Sequence, residues 1–333
     1  MSDVDRIAGW LIERACIESV ASFSPLGGLL KRYAHTPLRE CLSGRVQRGD
    51  YGECLAIDHS IPQTLSLPSQ KDAEQAFLSE LRLLFGIGSS HEKQLRQEGY
   101  TTIRTLLEHP RWGKVAQALL QDWDQPLNPD RVQIALSHWL PASHPLCQQL
   151  VGLFRREEIL FFDLETLGLG GAPIVLAALA RLTQANIRIT QYLARNLDEE
   201  IALLEQIDRE MTDTSLLISY NGKSFDWPYL KERIAYYGLP LHQEATCHID
   251  LLPHARRAFQ DCLPNMRLGT VETLLGVRRK EDLPGEAVPE FYSTYLETGN
   301  PGPLVPIVNH NRQDVESLVL LLARLLDSGD DAR

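Results

Sequence analysis

The run Ile159-Leu160-Phe161-Phe162-Asp163-Leu164-Glu165-Thr166 constrains this chain more than any other stretch. Four large apolar residues in succession predict a strand buried on both faces, yet two acids follow at once. Residues two apart in a strand point the same way. Asp163 and Glu165 therefore project together, while Phe162 and Leu164 pack on the opposite side. Two neighbouring carboxylates repel, and burying them without compensation is costly. A divalent cation between them removes the conflict, because hard oxygen ligands suit Mg²⁺ and Mn²⁺. The alternative, an exposed edge strand with two solvated acids, disagrees with the apolar run that precedes them.

Two further acids stand in distinctive settings. In Tyr220-Asn221-Gly222-Lys223-Ser224-Phe225-Asp226, Gly222 lets the backbone turn and Asp226 falls in the first turn of a helix. Taken alone, it reads as an acid favoured by the helix macrodipole. In Asn309-His310-Asn311-Arg312-Gln313-Asp314, His310 and Asp314 are four apart and share a face if one helix includes both.

The elements around them come in a definite order. Strands are expected over 159–164, 173–182 and 186–194, with turns at Gly168-Leu169-Gly170-Gly171 and Thr183-Gln184-Ala185. A helix follows from Leu197-Asp198 through Met211, with its acids in the first turn. A fourth strand spans 216–220, a helix 224–237 and a short fifth strand 248–251. A long Leu-rich helix over 312–326 closes the series. Three meandering strands followed by alternating helix and strand make an α/β arrangement with a mixed five-stranded sheet flanked by helices.

Asp-x-Glu on the first strand, Asn-Gly-Lys-Ser-Phe-Asp after the fourth and His-Asn-x-x-Asp on the last helix resemble the three exonuclease motifs of the DEDD superfamily, in the same order. More closely, the stretch is similar to the YprB-type ribonuclease-H-like family. The likeness rests on 161–168, 219–230, 248–252, Val271-Glu272-Thr273-Leu274-Leu275-Gly276, Asp282-Leu283-Pro284-Gly285 and 310–318. It covers most of residues 155–326.

The resemblance implies a ribonuclease-H-like fold and a 3′–5′ exonuclease that hydrolyses phosphodiester bonds of DNA or RNA by a two-metal-ion mechanism. It implies Asp163, Glu165, Asp226 and Asp314 as ligands of two Mg²⁺ or Mn²⁺ ions. His310 would orient or deprotonate the water, and an ordinary imidazole pKa near 6.5 suits that task. Thr166 and Leu167 would shape the pocket for the terminal nucleotide, with Asn221, Lys223 and Asn311 as further substrate-binding candidates. One departure is the spacing of the base. Better-studied DEDD enzymes place a histidine five residues before the last aspartate or a tyrosine four before it, whereas His310 sits at the tyrosine spacing. A helix-start histidine that only orders the loop is the alternative. A ribonuclease-H-like endonuclease and a non-catalytic nucleic-acid-binding scaffold are the competing functions. Four intact acids speak against the scaffold.

Composition narrows the partners. The formal net charge is −11, whereas a passive nucleic-acid binder is usually basic, because phosphate neutralisation supplies most non-specific affinity. Bound cations would provide the positive charge instead. Arg256, Arg257, Arg267, Arg278, Arg279 and Lys280 form a locally basic stretch and a candidate phosphate track, although each singly reads as a solvated face. No apolar run reaches the roughly 18 residues that cross a bilayer. The six cysteines contain no C-x-x-C pair, and Cys247, His248, Asp250 and His254 match no zinc spacing. Reduced thiols in a cytoplasm are the expectation.

Upstream, residues 1–68 open amphipathically (Ile7, Trp10, Leu11, Ala15) and then become rich in Pro, Gly and Ser. They are expected to be partly loosely ordered, with a short strand near Cys54 to Ile57. Residues 70–150 read as mainly helical. Phe85-Gly86-Ile87-Gly88 and Gly99-Tyr100 resemble the helix-hairpin-helix pattern, whose glycine turn offers backbone N–H groups to phosphate. An ordinary helical pair capped by glycines is the alternative. The domain covering 155–333 follows.

Overall fold

The computed structural model describes residues 25–63, 65–240, 247–279 and 283–330. The amphipathic opening with Ile7, Trp10, Leu11 and Ala15, together with Cys16, Lys280 and Asp282, lies outside the described residues.

One mixed sheet organises the molecule. Its strands are β1 (Arg45–Gly49), β2 (Gly52–Pro62), β3 (Ile159–Thr166), β4 (Ile174–Leu182), β5 (Asn186–Leu193), β6 (Leu216–Ser219) and β7 (Cys247–Asp250), in the spatial order β1-β2-β5-β4-β3-β6-β7. The β3/β6 and β6/β7 pairs are parallel and the others antiparallel. The α/β class holds, but the sheet has seven strands rather than five. The two additional strands come from residues 45–62. There β2 runs well past the expected Cys54–Ile57 and pairs with β5 from Leu55↔Leu193 to Pro62↔Asn186. Its second half, Asp58-His59-Ser60, is too polar to read as a strand. The hydrogen bonds of β5, rather than apolar alternation, hold it extended.

The helices used below are α1 (Pro25–Arg32), α2 (Gln70–Leu78), α3 (Ser89–Gln97), α4 (Gly113–Asp122), α5 (Pro129–Trp139), α6 (Glu200–Met211), α7 (Asp226–Tyr236), α8 (Leu251–Phe259), α9 (Leu268–Leu274), α10 (Val288–Thr298) and α11 (Leu304–Asp330). None of the described helices is long and apolar enough to cross a membrane. Central strands β3 and β4 are apolar almost throughout because both faces are covered. On one face Phe161, Ala178 and Ile189 pack with Val315, Leu318 and Leu322 of α11. On the other, Phe162, Leu164 and Leu179 pack with Leu203 and Ile207 of α6 and Leu230 and Ile234 of α7. Helix α11 starts eight residues before the expected 312. Pro306 does not stop it, because the first turn of a helix needs no N–H from that position.

Residues 70–150, expected to be mainly helical, carry α2 to α5 with 3-10 turns and short loops between them, and their core is continuous with the α11 face. The turn before α3 uses Gly86 at φ +83°, where a Cβ would meet Trp112 at 3.1 Å. The arm preceding that turn is short, a single 3-10 turn over Leu81–Leu83 after α2. A buried polar contact ties this region to the sheet domain. His254 of α8, 2% exposed, meets Gln148 of the 3-10 segment Pro145–Leu153 at 2.9 Å. Burial, with Lys223 and Arg257 nearby, lowers the His254 pKa to about 4. Below pH 6.5 the unfolded chain takes up a proton that the folded ring refuses. The stability this histidine contributes above that pH is therefore lost as pH falls towards 4, by up to about 3 kcal/mol. Urea unfolding at pH 7 and pH 4.5 should show wild type losing more stability than His254→Gln; parallel losses would contradict the assignment.

Candidate active site

Three elements bring four carboxylates together on the α11 face of the sheet. Asp163 and Glu165 leave β3 beside Phe161, which packs under α11, whereas Phe162 and Leu164 face α6 and α7. Asp226 is the first residue of α7, and Asp314 lies on α11. Glu165 and Asp226 are 7% and 6% exposed.

Asp226 reaches the strand directly. Strand β6 pairs with β3 only as far as Phe161↔Ile218 and ends at Ser219. Beyond that point the Leu164 N–H is free to donate to Asp226 Oδ1, at 3.2 Å. The turn that carries Asp226 there is demanding. Asn221 adopts φ +63°, and a Cβ on Gly222 would lie 2.4 Å from Ser219 Oγ and 3.2 Å from Asp226 Oδ2. Asp250, at the end of β7, accepts the backbone N–H groups of Asn221 (2.8 Å), Lys223 (3.3 Å) and Leu252 (3.0 Å). It caps α8 and ties down the turn at the same time.

Asp163 is oriented from behind. Asn311, fully buried, donates from Nδ2 to Asp163 Oδ2 at 2.8 Å, and its Oδ1 accepts from Gln191 Nε2 at 2.9 Å. Gln191 also donates to the Val308 carbonyl, at 2.9 Å. The chain of contacts runs from β5 through α11 to β3.

A second chain meets Asp314 and His310. Glu272 of α9, 1% exposed, accepts twice from Arg279, at 2.6 and 2.8 Å, and accepts from Ser317 Oγ at 2.5 Å. Arg279 then donates to Asp314 Oδ1 and meets His310 Nδ1 at 2.6 Å. A guanidinium has no acceptor, so Nδ1 accepts and the ring proton sits on Nε2. That nitrogen faces Asp314 Oδ2 at 3.5 Å and Glu165 Oε1 at 3.9 Å.

The four acids share one electrostatic predicament. Desolvation, with repulsion from Asp314, Asp226 and Glu165, holds Asp163 well above the ordinary carboxylate range. Glu165 is raised in the same way, against the opposing charge of Arg279. Asp226 is pushed up to about 7, chiefly by burial. Asp314 is raised by burial despite His310 and Arg279. Among the described residues, no group of three His, Cys, Asp or Glu side chains is arranged as it stands to hold a metal ion, and Arg279 occupies Asp314. The donor set nevertheless fits a hard divalent cation, being all carboxylate oxygen and short of positive charge.

The remaining candidates are dispersed around this centre. Thr166 Oγ1 donates to the Gly168 carbonyl at 2.9 Å, and Leu167 lines a cavity of about 780 Å³ with Tyr236, Tyr292 and Leu296. Asn221 serves the turn through its backbone. Lys223 has the Asp250 carboxylate and the buried thiols of Cys147 and Cys247 as its neighbours rather than the four acids. Arg256 and Arg257 stand on the last turn of α8, and Arg257 lines a separate cleft with His144 and Arg324. Gln191 and the particular role of Arg279 escape sequence reasoning, whereas Asp250 and Glu272 fall in stretches that carry the family resemblance, and only the contacts they make are new. Gln191, the polar residue in the alternating apolar series Ile187, Ile189 and Leu193 of β5, leaves a signal that could have been followed.

The model of the ribonuclease H superfamily matches residues 160–326. The chain is 37% identical over 195 residues to the uncharacterized protein YprB of Bacillus subtilis (strain 168), an alignment covering 57% of this chain and 45% of that protein. It thus spans less than half the length of that relative. The family B DNA polymerase of Pyrobaculum calidifontis superposes with a TM-score of 0.41 at 22% identity, over 50% of this chain and 24% of the polymerase.

Proposed function

We propose, from the premise that this chain belongs to the ribonuclease H superfamily, that it is a divalent-metal-dependent nuclease acting as a 3′–5′ exonuclease on DNA or RNA. The observation that carries this reading is the meeting of Asp163, Glu165, Asp226 and Asp314 in one buried, mutually repelling group on three elements. A structural role alone gives no reason to bury four acids together. Asp163, Glu165, Asp226 and Asp314 would hold two Mg²⁺ or Mn²⁺ ions. When bound, such ions activate water and neutralise charge on the leaving 3′ oxygen.

The chain's own residues do the rest. Asn311 and Gln191 fix the direction of the Asp163 carboxylate. The Leu164 N–H fixes Asp226. His310 orients or deprotonates the attacking water, and it can take a proton at Nδ1 only once Arg279 releases that atom. Thr166 and Leu167 shape the approach of the terminal nucleotide.

The test is degradation of 5′-labelled single-stranded DNA and RNA with Mg²⁺ or Mn²⁺, beside a circular single strand. A ladder shortening from the 3′ end, with the circle intact, is expected. Cutting of the circle would replace the exonuclease reading with an endonuclease. Inertness towards every substrate would sink both.

A further inference from the structure

Next to the acids, helix α1 and the first turns of α11 enclose a cleft of about 430 Å³. Arg32, Arg278, Arg279 and Arg312 line it, with Tyr33 and His310. In a chain of net charge −11, no Asp or Glu is among its described lining residues. Two of the arginines are already engaged: Arg279 with Glu272 and Asp314, and Arg312 with Glu316 at 3.3 Å. Arg32 and Arg278 are exposed and have no carboxylate partner among the described residues. Arg32 lies over the Tyr33 ring, 5.3 Å from its centroid.

The cleft is built rather than incidental. Helix α1 is seated by Leu26, 7% exposed in the core with Val288 and Ile307, and by Asn300 Nδ2 donating to the Leu30 carbonyl at 2.8 Å. Gly302 permits the approach, since a Cβ there would stand 2.8 Å from the Leu29 carbonyl and 2.9 Å from Tyr33. Its inner wall is His310 and Arg279, the two side chains that touch Asp314.

We propose that this cleft binds the sugar-phosphate backbone of a single-stranded nucleic acid and leads it to the acid cluster. The nature of the ligand rests on the nuclease reading above. Converging guanidinium groups with no competing acid suit phosphate. A cavity this small takes about one nucleotide and no duplex, and Tyr33 offers the aromatic surface that single-strand grooves pair with their positive charge. The basic stretch of the sequence thus contributes Arg278 and Arg279 to the cleft, and residues 25–33 and α11 complete it.

The experiment is fluorescence anisotropy with a labelled single-stranded oligonucleotide in EDTA, so that binding is read without cleavage. Arg32→Ala/Arg278→Ala is compared with wild type and with Arg188→Ala. Arg188 is exposed on β5, at the end of the sheet away from Glu165. The double variant should bind about tenfold more weakly near 0.1 M salt. Its log–log salt slope should shrink by roughly 1.4, about 0.7 for each lost phosphate contact on a single strand. Arg188→Ala should match wild type. Equal affinity and slope in all three proteins, or no binding by wild type, would overturn the proposal. If the cleft variants lose binding while wild type never cleaves with Mn²⁺, the cleft stands and the nuclease reading falls.

Discussion

Asp163→Asn is expected to abolish metal-dependent cleavage and to raise the melting temperature of the metal-free protein. The asparagine keeps the size of the carboxylate, and its oxygen can still accept from Asn311 Nδ2. What disappears is a buried charge that burial, Asp314, Asp226 and Glu165 all oppose. Relief of that repulsion should add about 1 kcal/mol or more, which is roughly 2 °C or more for a chain of this size. Cleavage should fall by at least about 10³-fold, the scale on which one preorganised electrostatic partner counts. Mn²⁺ separates the two proteins further. A cation that binds only the folded state stabilises it by about 2.7 kcal/mol at a hundred times its Kd. Wild type should gain that increment, and the variant only a fraction of it. A variant that melts lower than wild type and still cleaves would remove Asp163 from the ion site.

Glu272→Ala should produce the largest loss of stability of any single change near the site. Both Glu272 oxygens accept from Arg279, one also accepts from Ser317, and the side chain is 1% exposed. Removing one partner from a buried pair leaves the other charge uncompensated, at about 3–5 kcal/mol. The functional effect follows from where Arg279 turns next. Without Glu272, the carboxylate it still meets among the described residues is Asp314 of the acid cluster, so it competes harder with any cation there. Divalent affinity should drop roughly tenfold, the lower end of what residues supporting metal ligands contribute. Glu272→Gln, which keeps the shape, should lose less stability. Chemical unfolding and a calorimetric Mn²⁺ titration measure both effects. A Glu272→Ala protein as stable as wild type would show that Arg279 does not depend on Glu272.

The parts of this architecture that the sequence revealed are those governed by local periodicity. Alternation in β3 put Asp163 and Glu165 on one face, and the structure has Phe161 and Phe162 on opposite sides of the sheet. Gly222 announced the turn before Asp226. The start of α11 was legible in principle, since Pro306 is compatible with a first turn, yet Pro at 301, 303 and 306 reads as loop. The supporting residues were hidden for a different reason. Gln191 matters only because β5 lies where Asn311 arrives from α11, and Arg279 matters only because, held by Glu272, it reaches Asp314 and His310 on α11. Such partnerships span tens to over a hundred residues, and no spacing rule encodes them. Strand β2 was under-read on the same ground, because its polar half is held extended by backbone pairing with β5.

The edges of the sheet carry a last consequence. Strand β1 has five residues and presents Arg45, Gln47 and Arg48, and β7 has four, with Gln133 of α5 accepting its His248 N–H at 2.9 Å. Short, charged or covered edges discourage pairing with another chain. They also guard against a subtler error. A one-residue slip of β3 against β4 would turn Asp163 and Glu165 away from α11 and swing Phe162 and Leu164 into their place, because side chains alternate strictly along a strand. The eight residue pairs that join β2 to β5 sit two strands away from the acids. With the seven pairs of β4 with β5 and the seven of β3 with β4 they form an unbroken ladder, so that a slip of β3 would give up its own seven pairs while the rest of the sheet stays in register.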